Sequence, residues 1–176
     1  HGEGVTIKQF IGNAVVEAEK AVESVREIHD EKGVSYDEIA IAMYFRKYKP
    51  LSYYLESALL TVFAREHIPY NLLYNNDQSW GGRYGDGGVS FITFDSVLGL
   101  DFQAVVVCGV KPLGAYDKTK KLKGESVLNE EQTENLKKNI SYLYVACTRA
   151  KDYLHIILGE SSNQSIYNKL LTDSEE

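Results

Sequence analysis

Two stretches of this chain, Ile39-Ala40-Ile41-Ala42-Met43-Tyr44 and Ala104-Val105-Val106-Val107-Cys108-Gly109-Val110, carry almost no polar side chain over the length of a strand. A strand covered on one face alternates apolar with polar residues. A run without alternation is covered on both faces, the condition of an interior strand in a parallel sheet with helices above and below. The rest of the chain must therefore supply helices for two faces.

It does so in alternation with further strands. Residues 5–10 alternate as Val-Thr-Ile-Lys-Gln-Phe, a short strand ahead of the turn residues Gly12 and Asn13. From Asn13, Val16, Ala21, Val25 and Ile28 recur at helical spacing with Glu17, Glu19, Lys20, Glu23 and Arg26 on the other side. The spacing predicts an amphipathic helix of about five turns that closes near Lys32-Gly33. Pro50 or Ser52 starts a second helix whose stripe is Tyr54, Leu55, Ala58, Leu59, Val62 and Phe63. Residues 68–74 return as a strand with Pro69 confined to its start. Residues 89–94 are a strand, Asp95-Ser96 a helix-capping pair, 153–158 a last strand and 166–171 a short terminal helix. Asn129 caps another helix, with Glu130 and Glu131 suited to its dipole and Leu136, Ile140, Leu143, Tyr144 and Cys147 as its buried face. Strand and helix in alternation predict an α/β fold, a mostly parallel sheet with helices on both faces. A length of 176 residues favours a single domain, residues 1–176.

Charge restricts the function classes. Nineteen basic and 25 acidic residues leave a net charge of −6, which excludes a protein held to nucleic acid or an anionic membrane by bulk positive charge. Any nucleic-acid contact must be local. The basic stretch 111–127, with Lys118, Lys120, Lys121 and Lys123, reads as a surface loop. Cys108 and Cys147 lie inside apolar runs and read as buried, reduced thiols of a cytoplasmic protein. His1, His29, His67 and His155 show no ligand spacing, so no metal site is expected, and no apolar run reaches the roughly 18 residues of a membrane span. Residues 75–88 hold five glycines, but no Gly-Lys-Ser/Thr follows and a strand comes next, which argues against a phosphate loop. The first residue is His, so the chain is expected to be a processed product or an excised piece of a longer protein.

Two segments carry chemistry. Residues 89–107 read as strand, polar turn, Gly-Leu-acid-aromatic, strand. Loops at the carboxyl ends of strands form the ligand crevice of open α/β sheets, so Thr93, Asp95, Ser96, Gly99 and Asp101 are placed to meet a ligand. Residues 140–151 end an apolar-faced helix on Thr148-Arg149 just before a strand. Arg149 there is either a helix-end cation or a guanidinium placed to neutralise charge on a transferring phosphoryl group.

In this order the two segments resemble motifs V and VI of superfamily 1 DNA helicases of the UvrD/Rep type. Thr93-Phe94-Asp95-Ser96-Val97-Leu98-Gly99-Leu100-Asp101-Phe102 stands where the family shows Thr-x-His-Ser-x-Lys-Gly-Leu-Glu-Phe, and Tyr144-Val145-Ala146-Cys147-Thr148-Arg149-Ala150 matches Tyr-Val-Ala-x-Thr-Arg-Ala throughout. Upstream, residues 37–46, then Leu55-Glu56 and Ile68-Pro69-Tyr70, are similar to the family's Ile-Ala … Leu-Glu … Ile-Pro-Tyr stretch. The resemblance implies a RecA-like three-layer domain, the second of a motor in which ATP with Mg2+ sits between two such domains and single-stranded DNA runs across their tops. By position, Arg149 is the expected catalytic arginine at the γ-phosphate. Gly99 and Asp101 would border the nucleotide, Asp101 at its ribose, and Thr93, Asp95 and Arg46 would lie by the DNA backbone. The expected partner is an N-terminal RecA-like domain that holds most of the metal's ligands. The chain has no Walker A segment of its own, so alone it is expected to be inactive. Residues 75–88 stand in for the family's large inserted domain. Asp95 replaces the family's His and Leu98 its Lys, removing two positive or polar contacts available to phosphate, and Ser141 replaces an Arg. A non-catalytic interaction domain on the same scaffold is the second reading, favoured by the net charge, Asp95 and Leu98.

Overall fold

The computed structural model describes residues 4–43, 55–73, 87–94, 100–110 and 130–159. Strand β1 (Val5–Phe10) leads into helix α1 (Ala14–Arg26), which continues as a π-helical turn over Glu27–Glu31. A 3-10 turn, Tyr36–Glu38, precedes β2 (Ile39–Met43). Then come α2 (Leu55–Arg65), β3 (Tyr70–Leu72), β4 (Val89–Thr93), β5 (Phe102–Cys108), α3 (Glu130–Cys147) and β6 (Ala150–Gly159). The expected strands are present with moved ends: β5 starts and stops two residues earlier, β6 starts three residues earlier, and β3 keeps only its middle. The phosphate-loop argument at 75–88, the lysines of 111–127, the caps at Asp95-Ser96 and Asn129, the start at Pro50 or Ser52 and the helix at 166–171 lie wholly or mostly outside the described residues.

The six strands form one sheet in the order β1-β6-β5-β2-β4-β3, and every pairing is parallel. Alternate residues explain why two strands lack polar positions. Ile39, Ile41 and Met43 of β2 and Ala104, Val106 and Cys108 of β5 pack with α1 and α2. Ala40, Ala42, Val105 and Val107 face the other way, with Leu143 and Ala146 of α3. This is the three-layer arrangement that the apolar runs demanded. Phe63 of α2 meets Phe91 and Tyr70 edge-on, at 4.9 and 6.1 Å between ring centres, tying α2 to the β3–β4 end.

Asn13 caps α1: its Oδ1 accepts from the N–H groups of Val15 and Val16 at 3.0 and 3.3 Å. Gly33, with φ +71°, ends the helical stretch as expected. Two expectations fail. Glu17, assigned to the solvent face, is fully enclosed in the first turn of α1. Tyr144, assigned to the buried face of the last helix, is 70% exposed. Leu143 already occupies the inward direction, and the next residue is turned by about 100° around the helix axis.

Between β5 and β6 the pairing steps from Phe102↔Ala150 to Ala104↔Tyr153, two residues against three. This bulge changes the facing of β5. Phe102 joins the α3 side with Val105 and Val107, whereas Ala104 lies on the α1 side. No helix among the described residues is long and apolar enough to cross a membrane.

Candidate functional site

Helix α3 ends on Cys147, and only Thr148 and Arg149 separate it from β6. Both are held by backbone bonds. Thr148 N–H donates to Tyr144 O at 3.0 Å and Arg149 N–H to Ala146 O at 3.2 Å, while Thr148 Oγ1 caps Val145 O at 2.8 Å. On its other side, Arg149 O accepts from Phe102 N–H at 2.9 Å, just before the first β5–β6 pair. Arg149 therefore has a fixed backbone at the amino rim of the sheet, and Asp101, one residue before β5, is its neighbour.

The side chains face each other loosely. Arg149 Nη1 is 3.5 Å from Asp101 Oδ1, with side-chain exposures of 25% and 54%. At that length and exposure the pair contributes at most about 1 kcal/mol to stability. Arg149 Nε is buried and has no hydrogen-bond partner, so the fork is incompletely used. A planar cation beside a half-exposed carboxylate suits a ligand that offers both an anion and a hydroxyl group.

Thr93 is elsewhere. It ends β4 and is only 8% exposed; it pairs with Met43, which in turn pairs with Cys108 at the end of β5. Six residue steps separate Cys108 from Phe102, about 20 Å along a strand. Thr93 and Asp101, expected to share one crevice, thus lie at opposite rims. Parallel strands force this separation, because Thr93 ends one strand and Asp101 precedes the start of another. Asp95, Ser96, Leu98, Gly99 and Arg46 lie outside the described residues. Ser141 is exposed on α3 and donates to Lys137 O at 2.9 Å.

The carboxyl rim holds a residue that the sequence pattern hid. Glu17 Oε1 accepts from the Gly109 N–H at 2.7 Å, in a buried position. Beside it, burial first and Glu17 second raise the Cys108 thiol well above its usual range. Burial pushes the Cys147 thiol up to about 12. Both cysteines are free, and neither is activated as a nucleophile. Among the described residues no group of three His, Cys, Asp or Glu is arranged to hold a metal ion.

No family model matches the chain, and no curated protein does. Among solved structures, the chain is similar to the C-terminal domain of a possible DNA helicase from Lactobacillus plantarum WCFS1, with a TM-score of 0.51 and 17% identity over 89% of this chain and 73% of that one. A weaker likeness, at a TM-score of 0.48 and 14% identity, is to domain 2 of the DEAD-box helicase Mss116p bound to an RNA duplex, covering 89% of this chain and 55% of that one. The first likeness, with the all-parallel three-layer sheet, establishes an α/β RecA-like fold of the kind found in helicase C-terminal domains.

Proposed function

We propose that this chain is the second RecA-like domain of an ATP-dependent DNA helicase or translocase of the UvrD/Rep type, working in the cytoplasm, where Cys108 and Cys147 stay reduced. Residues 1–176 form this one domain, with 75–88 in place of the inserted domain, and its partners are an N-terminal RecA-like domain and single-stranded DNA. The observation that supports it most is the meeting of Arg149 and Asp101, from motif-like segments 48 positions apart, with a guanidinium whose Nε–H is left over.

The pair fits a nucleotide. ATP with Mg2+, held mainly by the N-terminal domain, supplies the phosphoryl group. Arg149 would turn from its long contact with Asp101 to the γ-phosphate and neutralise the charge that grows as a water oxygen bonds to the γ-phosphorus and ADP leaves. Asp101 would accept a hydrogen bond from a ribose hydroxyl, with Gly99 bordering the same nucleotide. Thr93, at the opposite rim, would lie by the DNA backbone, the role expected of Asp95 and Arg46 as well. Arg149 is thus the catalytic residue and Asp101 an orienting one.

The test is steady-state ATP hydrolysis by the whole protein. Arg149→Ala is expected to lower DNA-stimulated turnover by about 1,000-fold or more, and Arg149→Lys to restore little of it, since a point charge does not reproduce the fork. Thermal unfolding should move little, because the loose pair contributes little to stability. Undiminished turnover in Arg149→Ala would remove Arg149 from the mechanism.

A further inference from the structure

Glu17 is an acidic side chain buried where an amphipathic pattern has no use for one. It sits in the first turn of α1, a helix anchored by its Asn13 cap, and its carboxyl reaches the N–H of Gly109. Gly109 is the first residue past β5 and has φ +72°, a left-handed position at which the chain turns. Adjacent strands end at the same level: Cys108 is opposite Met43, Met43 is opposite Thr93, and Phe94 N–H donates to Met43 O at 3.0 Å.

This level is also where the winding of the sheet reverses. Strands β2 and β5 are neighbours, yet the helix that follows β2 is α2, on one face, and the helix that follows β5 is α3, on the other. Where the exits of neighbouring parallel strands part in this way, a crevice opens outside their carboxyl ends. Glu17 holds the backbone on the β5 side of that level. A buried carboxyl is costly unless it is bonded, so its bond to a turn amide ties the turn to α1 in one arrangement.

We propose that Glu17 is a positioning residue of the nucleic-acid track: by holding Gly109 it sets the β5 exit that borders the crevice above Met43 and Thr93, without itself touching nucleotide or nucleic acid. The inference rests on the motor assignment above. It separates two rims, with Arg149 and Asp101 governing turnover at one and Glu17 governing capture of the strand at the other.

The experiment is ATP hydrolysis by the whole protein, titrated separately with oligothymidylate and with ATP. Glu17→Ala is expected to raise the oligothymidylate concentration for half-maximal stimulation about tenfold, with saturated turnover and the KM for ATP held within about twofold. Glu17→Gln, which keeps a carbonyl acceptor for the Gly109 N–H, should recover most of the shift. Should Glu17→Ala fail to fold, Glu17→Asp, one methylene short of the amide, takes its place and must show the same shift. An unchanged half-maximal concentration overturns the proposal. So does a parallel loss of turnover and of oligothymidylate response that tracks melting temperature in every variant, since that is a structural role only. A wild-type protein whose ATP hydrolysis ignores oligothymidylate overturns the motor assignment, before any variant is compared, and the proposal falls with it.

Discussion

Buried polar side chains set the behaviour of this domain at the scale of single residues. His155, on β6, is buried against α1 with Nδ1 3.0 Å from Ser24 Oγ. Burial lowers its proton affinity, Lys8 lowers it further, Glu27 raises it and Lys32 lowers it, for a net shift downward. A base with a depressed folded pKa is neutral in both states at high pH and contributes nothing there. Below its ordinary value, near 6.5, the unfolded chain takes a proton that the folded chain refuses, so stability falls until the folded pKa is reached. Melting temperature should therefore drop as pH falls from about 7.5 to 5.5, and His155→Gln should flatten that slope, as followed by thermal unfolding across the range. Arg149 stood out in the sequence as a cation on a short turn after an apolar-faced helix, and the fold sets it beside Asp101. Glu17 was not legible there, because periodicity places every acid of an amphipathic helix outward and cannot foresee one bonded to an amide 92 positions away. Tyr144 misled for a related reason: it neighbours the inward direction without sharing it.

Elements were easier to find than to bound. The runs 39–44 and 104–110 announced buried strands, yet the start of β5 depends on its partner β6, and no local pattern shows the bulge that turns Phe102 to the α3 side. Gly88 gives a second case. As the last of five glycines it reads as part of a loop, but it stands against β3, where a Cβ would lie 2.7 Å from Tyr70 N and 2.8 Å from Pro69 C. Neither atom is free to move, because Val89 N–H donates to Pro69 O at 2.9 Å and Tyr70 pairs with Val89. Gly88→Ala should therefore loosen the three-residue edge strand and cost about 1–3 kcal/mol in urea unfolding. A change below about 0.5 kcal/mol would show that β3 shifts outward freely.

The fold class was readable for the whole molecule because wholly apolar strands admit few surroundings, but the strand order was not, since it depends on pairings between distant residues that no window of sequence contains. Only that order makes Asp101 and Arg149 neighbours, and it also parts Thr93 from them. The isolated chain carries a charge of −6 and, on the proposed function, only half of a nucleotide site. It should bind oligothymidylate more weakly than about 1 μM at physiological salt, measured by fluorescence anisotropy. Tighter binding would mean that the carboxyl rim is sufficient alone.

One consequence concerns force. Strand β5 runs from the amino rim at Phe102 to the turn at Gly109 with no interruption beyond its bulge, and β2 lies beside it, buried on both sides. Packed rods of this kind barely stretch or bend. A displacement at one rim of β5 is therefore carried to the other with little loss, as along a push-rod.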